Sequence, residues 1–215
     1  MSASRETYSE AAEDGQIRSL EGNPYTRPMP LTLTWTRRAL KLPQEVRDEL
    51  TSRLEKLHPF FPEMTPVMKV GITRFYDGLA FMSDSGKVRL WVNVHRRRKG
   101  GWVYPTHWTL AHEMMHLAQF NDDRIPSGER ACDVFTLARL SPRLIDDSPS
   151  YLVITQDIRD DWSDRHSKLA HELAKEGIRL RNDGLRKYAS WWEDEFEKRI
   201  LAEAPPKKKP RARCK

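Results

Sequence analysis

Residues His112-Glu113-Met114-Met115-His116 set two imidazoles four positions apart with a carboxylate between them. On a helix this spacing places both histidines on one face, one turn above the other. They can then share a single divalent ion at about 2.0–2.1 Å each. Glu113 projects from the same side and can reach a water on that ion. The flanks, Trp108-Thr109-Leu110-Ala111 and Leu117-Ala118-Gln119-Phe120, are largely apolar, so the helix is expected to be buried. Burying two histidines and a glutamate without partners would cost on the order of several kcal/mol, and a shared metal satisfies all three. Pro105-Thr106 supplies a start, with Thr106 as N-cap, and Asn121-Asp122-Asp123 with Pro126 supplies a stop.

A catalytic zinc ion takes three protein ligands and leaves one position for water. The next segment, Ser127-Gly128-Glu129-Arg130-Ala131-Cys132-Asp133-Val134-Phe135, reads as a second helix capped by Ser127 and ended near Leu140 by Ser141-Pro142. A short connection lets this helix fold back on the first, so that Glu129 faces the histidines as third ligand. Asp133, one turn on, is placed to hydrogen-bond the free ring nitrogen of His112 and so orient it. The alternative is Asp133 as the ligand, with Glu129 capping the helix. His107 lies about 140° round the helix from His112 and is not a ligand. His171 is followed four positions later by Lys175, so its segment reads as a solvated helix face. Cys132 reads as a small buried thiol.

H-E-x-x-H followed by G-E-x-x-x-D (Gly128, Glu129, Asp133) resembles the gluzincin clan of zinc metallopeptidases. The resemblance covers roughly residues 86–140 and is specific for the metal site. It implies Zn2+ held by His112, His116 and Glu129, Glu113 as general base and Asp133 as support. It also implies hydrolysis of peptide bonds in a peptide or protein substrate by a zinc-activated water. The gap between histidine helix and glutamate is shorter than in thermolysin-like enzymes. It is similar to that of small intracellular peptidases that cleave phage repressors, whose ligand-bearing helix is echoed by Glu129 through Ala138. SprT-like proteases take a histidine as third ligand, and no histidine occurs between His116 and His166. In the resembled clan the strand just upstream of the metal helix forms the sheet edge on which substrate is laid. Here that strand is the alternating stretch Val88, Leu90, Val92, Val94; a plain core strand is the other reading.

The remaining inferences come from composition and punctuation. No apolar run approaches a membrane span. Met1 to Asp14 is polar and acidic, unlike a signal peptide, and two cysteines make no disulfide framework, so a cytoplasmic setting is expected. The net charge of +6 sits in the tail: Lys207 to Lys215 carries six cations and no acid, leaving 31 cations against 31 acids elsewhere. Such a tail solubilises, or offers weak contact to nucleic acid. Arg96-Arg97-Arg98-Lys99 precedes Gly100-Gly101 and reads as a loop tip, either solvated or in contact with substrate or nucleic acid. Two further functional readings stay open: a zinc-stapled binding module whose basic tail engages nucleic acid, and a regulatory protease with a single protein target.

The expected fold class is α+β: a small, mostly antiparallel sheet packed on the two metal-bearing helices, with additional C-terminal helices. The expected organisation is a flexible segment 1–28, a zincin-like catalytic domain 29–145, a helical extension 146–203 packed on it, and a disordered basic tail 204–215. Expected strands are Leu31–Trp35, Val67–Phe75, a short one after the Asp77-Gly78 turn through Met82, the stretch from Val88, and Tyr151–Ile154. A turn is expected at Asp84-Ser85-Gly86. Helices are expected at Pro43–Leu57, with Val46, Leu50, Leu54 and Leu57 on one side, and at Asp164–Arg181 and Leu185–Leu201. Trp191 and Trp192 are expected to pack on the domain.

Overall fold

The computed structural model describes residues 30–83 and 86–203; the expected N-terminal segment, most of the Asp84-Ser85-Gly86 turn and the basic tail lie outside these residues. The architecture is α+β, as expected. Four strands, β1 (Thr32–Trp35), β2 (Val67–Thr73), β3 (Gly78–Met82) and β4 (Val88–Asn93), form a sheet of order β1-β2-β4-β3. The sheet is mixed rather than mostly antiparallel. β1 pairs with β2 and β2 with β4 in parallel, and only β3 runs antiparallel, against β4. The reason is connectivity. Helix α1 (Gln44–Leu57) carries the chain back between β1 and β2, which makes a parallel pair obligatory. β3 then takes the outside place and returns to β4 by a hairpin whose Ser83 N–H donates to Lys87 O at 3.1 Å.

β4 is therefore an interior strand, and the edge beside the metal helix is β3. Val88, Leu90 and Val92 alternate into the core as read, but β4 ends at Asn93. His95–Arg96 (β5) instead starts a two-stranded ribbon with Trp102–Val103 (β6). Arg97 through Gly101 form its tip, closed by Arg97 N–H to Gly101 O at 3.0 Å, so Arg97, Arg98 and Lys99 of the basic cluster form a loop tip while Arg96 lies in β5.

Helices α2 (His107–Asn121) and α3 (Glu129–Arg139) follow, then α4 (Gln156–Asp160), α5 (Asp164–Asn182) and α6 (Tyr188–Glu203). Val46, Leu50, Leu54 and Leu57 of α1 are all buried, as their spacing predicts. They join one apolar core that includes Leu90 and Val92 of the sheet, Leu110 and Met114 of α2, Leu137 of α3, Leu173 of α5 and Trp192 of α6. Trp192 stacks on Phe196 at 4.8 Å between centroids and donates its indole N–H to Ala170 O at 3.1 Å. The expected strand Tyr151–Ile154 is absent. Its amides are spent on side chains instead: Tyr151 and Leu152 N–H donate to Asp133, and Val153 N–H to Glu193. His171 is not solvated as expected; its Nδ1 lies 2.8 Å from Leu137 O, which ties α5 to α3.

Candidate metal centre

α2 starts where the sequence says. Thr106 is the N-cap and its hydroxyl accepts from Thr109 N–H at 3.0 Å. Asp146 adds a second cap from afar, accepting from the backbone N–H groups of His107 and Trp108 at 3.0 and 2.9 Å. It also takes His107 Nδ1 at 2.9 Å, which keeps that histidine away from the metal face. The reversal into α3 is made by Gly128, not Ser127: Gly128 is the N-cap, at φ 98°, a backbone state that L side chains rarely adopt. This turn brings Glu129 back over α2.

Three atoms then converge. Glu129 Oε2 lies 3.1 Å from His112 Nε2 and 3.1 Å from His116 Nε2, and the two nitrogens are 3.2 Å apart. Ligands sharing a tetrahedral ion at about 2.0–2.1 Å stand roughly 3.3–3.4 Å from one another, so this triangle has the size of such a site. The ring protons identify which electrons face inward. Gln119 donates its amide N–H to Pro126 O at 2.6 Å, which turns its carbonyl oxygen to His116 Nδ1 at 2.9 Å. That nitrogen must carry the hydrogen. Likewise His112 Nδ1 sits 2.8 Å from Asp133 Oδ1 and donates to it. Each ring, when neutral, therefore aims a bare Nε2 lone pair at the same carboxylate oxygen. Three lone pairs at about 3 Å repel unless a cation lies among them.

Asp133 is fully buried behind His112. Its second oxygen accepts from Tyr151 N–H at 2.8 Å and Leu152 N–H at 3.1 Å. With its carboxylate committed in this way, it orients the histidine and does not compete with Glu129. Burial alone would push the His112 pKa down, but the Asp133 hydrogen bond and charge, with Glu113 and Glu129, outweigh it and the net direction is up.

Cys132 is close as well. Atoms of His112, His116 and Cys132 lie within 4.8 Å of one another, so this trio too can hold a metal ion. Glu129 fits better. Its oxygen is at ligand spacing from both rings, whereas the Cys132 thiol donates to the backbone carbonyl of His112 at 3.2 Å. Burial pushes the Cys132 pKa well above its ordinary value.

Glu113 leans toward the sheet edge. A Cβ added to Gly78 would lie 2.5 Å from Glu113 Cγ and 2.8 Å from its Oε1, so only glycine leaves the carboxylate its place. The backbone N–H of Ala80 also supports it, while burial, the largest influence, raises its pKa. A cleft of about 550 Å³ opens here, lined by Phe75, Tyr76, Gly78, His112, Glu113 and Tyr151, among others. Tyr151 stacks on His112 with centroids 5.4 Å apart and planes at 18°.

The structure thus brings together His112, Glu113, His116, Glu129 and Asp133. Sequence reading left out Gln119, Gly78, Asp146 and the loop role of Tyr151. Gln119 carried a signal, standing three positions after His116 on the same helix face; Gly78 carried only a turn signal, and Asp146, distant in sequence, carried none. No family model, curated protein or solved structure matches this chain.

Proposed function

We propose that this protein is a zinc-dependent metallopeptidase that hydrolyses peptide bonds in a peptide or protein substrate. The observation that carries this reading is the convergence of His112 Nε2, His116 Nε2 and Glu129 Oε2 within 3.2 Å of one another, with two of three wall positions held by tautomer-fixing partners. Two imidazoles and one carboxylate, with His112 and Glu113 lining a cleft, is a donor set suited to zinc in a hydrolytic site. A bound zinc ion would polarise a carbonyl and bring the pKa of its water from 15.7 toward about 7.

The residues of the chain supply the rest. Glu113, raised in pKa by burial, takes a proton from the attacking water and returns it to the leaving amine. A developing oxyanion needs a donor besides the metal, and of Tyr104, His107, Tyr151, His166 and His171 only Tyr151 lines the cleft with Glu113. His107 is bound to Asp146, His166 to Ser163, His171 to Leu137, and Tyr104 lies under Arg53. Burial raises the Tyr151 pKa, as do the charges of Glu129 and Glu113, so its phenol stays a neutral donor. β3 offers the backbone edge. Asn93 N–H donates to Asp77 O, so Leu79 and Phe81 are the residues bonded to β4, and Gly78, Ala80 and Met82 direct their backbone groups away from β4, the Ala80 N–H toward Glu113. An extended peptide added there gains backbone hydrogen bonds.

Glu113→Gln tests the assignment: metal content by mass spectrometry should stay stoichiometric while hydrolysis of a peptide library falls at least a thousandfold. Undiminished cleavage would refute the base. The nearness of Cys132 favours a second reading, a closed zinc site that staples α2 to α3 within a binding module whose tail meets nucleic acid. Under it, Cys132→Ala weakens metal binding sharply; under the peptidase reading it leaves metal affinity nearly unchanged.

A further inference from the structure

A second cleft, of about 560 Å³, lies against the first and shares Arg74 and Asn93 with it. It spans the ends of the three parallel strands, where Arg38 follows β1, Arg74 follows β2, and His95 and Arg96 follow β4. Among the described residues its wall holds three guanidiniums and no carboxylate, over a partly apolar floor that includes Leu42, Ile72 and Trp102. The chain from Gly86 to His112 contains six lysines and arginines and no acid, with Arg97, Arg98 and Lys99 of the β5–β6 ribbon's tip among the six. The metal cleft is the opposite in character, lined by Asp77, Glu113 and Asp147.

We infer that the basic cleft is a specificity subsite for acidic side chains on one side of the scissile bond, a statement that rests on the peptidase reading and names its substrate class. The two clefts abut, so one extended chain can occupy both. The charge reverses at their junction, which suits a peptide, whose charge changes residue by residue. It does not suit a nucleic acid strand, whose phosphates would run on into three carboxylates. The register sets the positions. A substrate that leaves the β3 edge at Gly78, against Glu113, and turns there across the strand ends advances about 4.8 Å per strand, which puts the end of β2 about 10 Å away and the end of β1 about 14 Å away. At about 3.3–3.6 Å per extended residue, Arg74 and Arg38 meet side chains some three and four positions from the cleaved bond.

The test uses the full-length, zinc-loaded protein at about 0.15 M salt, where loosely held charge pairs are screened. Cleavage of a peptide library is read by mass spectrometry, and fluorescence anisotropy with Glu113→Gln follows a labelled peptide carrying Glu at those positions, its Gln counterpart, and a twelve-residue oligothymidylate. The expected result is a Glu peptide bound and cleaved at least tenfold better than the Gln peptide, with this ratio lost in Arg38→Glu/Arg96→Glu. Equal treatment of the two peptides overturns the inference. So does a preference that survives the charge reversal, which would place it in the basic tail, or an oligonucleotide bound tighter than the Glu peptide. If no peptide is cleaved while the anisotropy difference holds and responds to the reversal, the cleft assignment stands and the hydrolytic reading is the one that fails.

Discussion

Replacing Asp133 separates the orienting of a ligand from the stability of the fold. Its Oδ2 takes two backbone N–H groups from the Tyr151–Leu152 turn and its Oδ1 takes His112 Nδ1–H. Asp133→Ala strands all three donors, at about 1–3 kcal/mol for each that stays dry. Tyr151 is half-exposed, so its amide can find water, whereas Leu152 and His112 are buried. The expected loss is roughly 2–5 kcal/mol, about 5–15 °C in Tm for a chain of this size. Asp133→Asn differs. Its carbonyl oxygen can keep the two backbone donors, which leaves its NH2 facing His112 Nδ1. Two donors cannot bond, so the ring proton moves to Nε2 and fills the lone pair that faces Glu129. The Asn variant should therefore melt within about 1–2 kcal/mol of the parent yet bind zinc 10- to 100-fold more weakly. Thermal unfolding of the metal-free proteins and titration against a competing chelator give the two numbers. Zinc affinity in Asp133→Asn equal to that of the parent would refute the tautomer argument and, with it, the claim that His112 Nε2 is a ligand.

Tyr151→Phe keeps the ring stacked on His112 and removes only the hydroxyl; kcat should fall about 10²- to 10³-fold with zinc content unchanged, and an unaltered kcat would exclude the phenol from the reaction. Gly78→Ala forces Glu113 to shift by close to 1 Å from a 2.5 Å contact, a displacement that can cost about 10²-fold in turnover; full activity would mean that Glu113 does not act from this position. The pH dependence of stability should come in part from His58 and His166, both held below the ordinary histidine value by burial, with the Arg165 charge adding to the effect at His166. The unfolded chain then takes up protons first, so stability is complete above about pH 6.5 and declines as pH falls through the lowered folded values, by at most about 1.4 kcal/mol per pH unit for each group. His166 is the N3 residue of a capping box with Ser163, where Gln caps equally well but does not titrate. His166→Gln gives up the ring packing on Trp162 and Phe196, so Tm at pH 7.5 should drop modestly, but its decline toward pH 5 should flatten; an identical decline would remove His166 from the account.

The candidate metal centre was legible because its parts lie on two consecutive helices joined by a short turn. Helix periodicity alone sets His112 beside His116, and one reversal brings Glu129 and Asp133 to them. What was not legible depends on distant pairings. The alternation of β4 is the same for an edge strand as for an interior one, since a strand reports its own faces and not its neighbours. The edge role passed to β3 because a parallel β2–β4 pair claimed the inner place. Tyr151–Ile154 has the composition of a strand, but its N–H groups were taken by carboxylates 18 to 40 positions away in sequence. That outcome is decisive for the site. Asp133 grips Tyr151 and Leu152 with one oxygen and His112 with the other, and Glu193 fastens Val153 to α6 while also bonding Arg130 of α3. The buried carboxylate that sets the ligand tautomer thus also sets the tyrosine above it, so orientation of the metal ligand and closure of the cleft wall cannot vary independently.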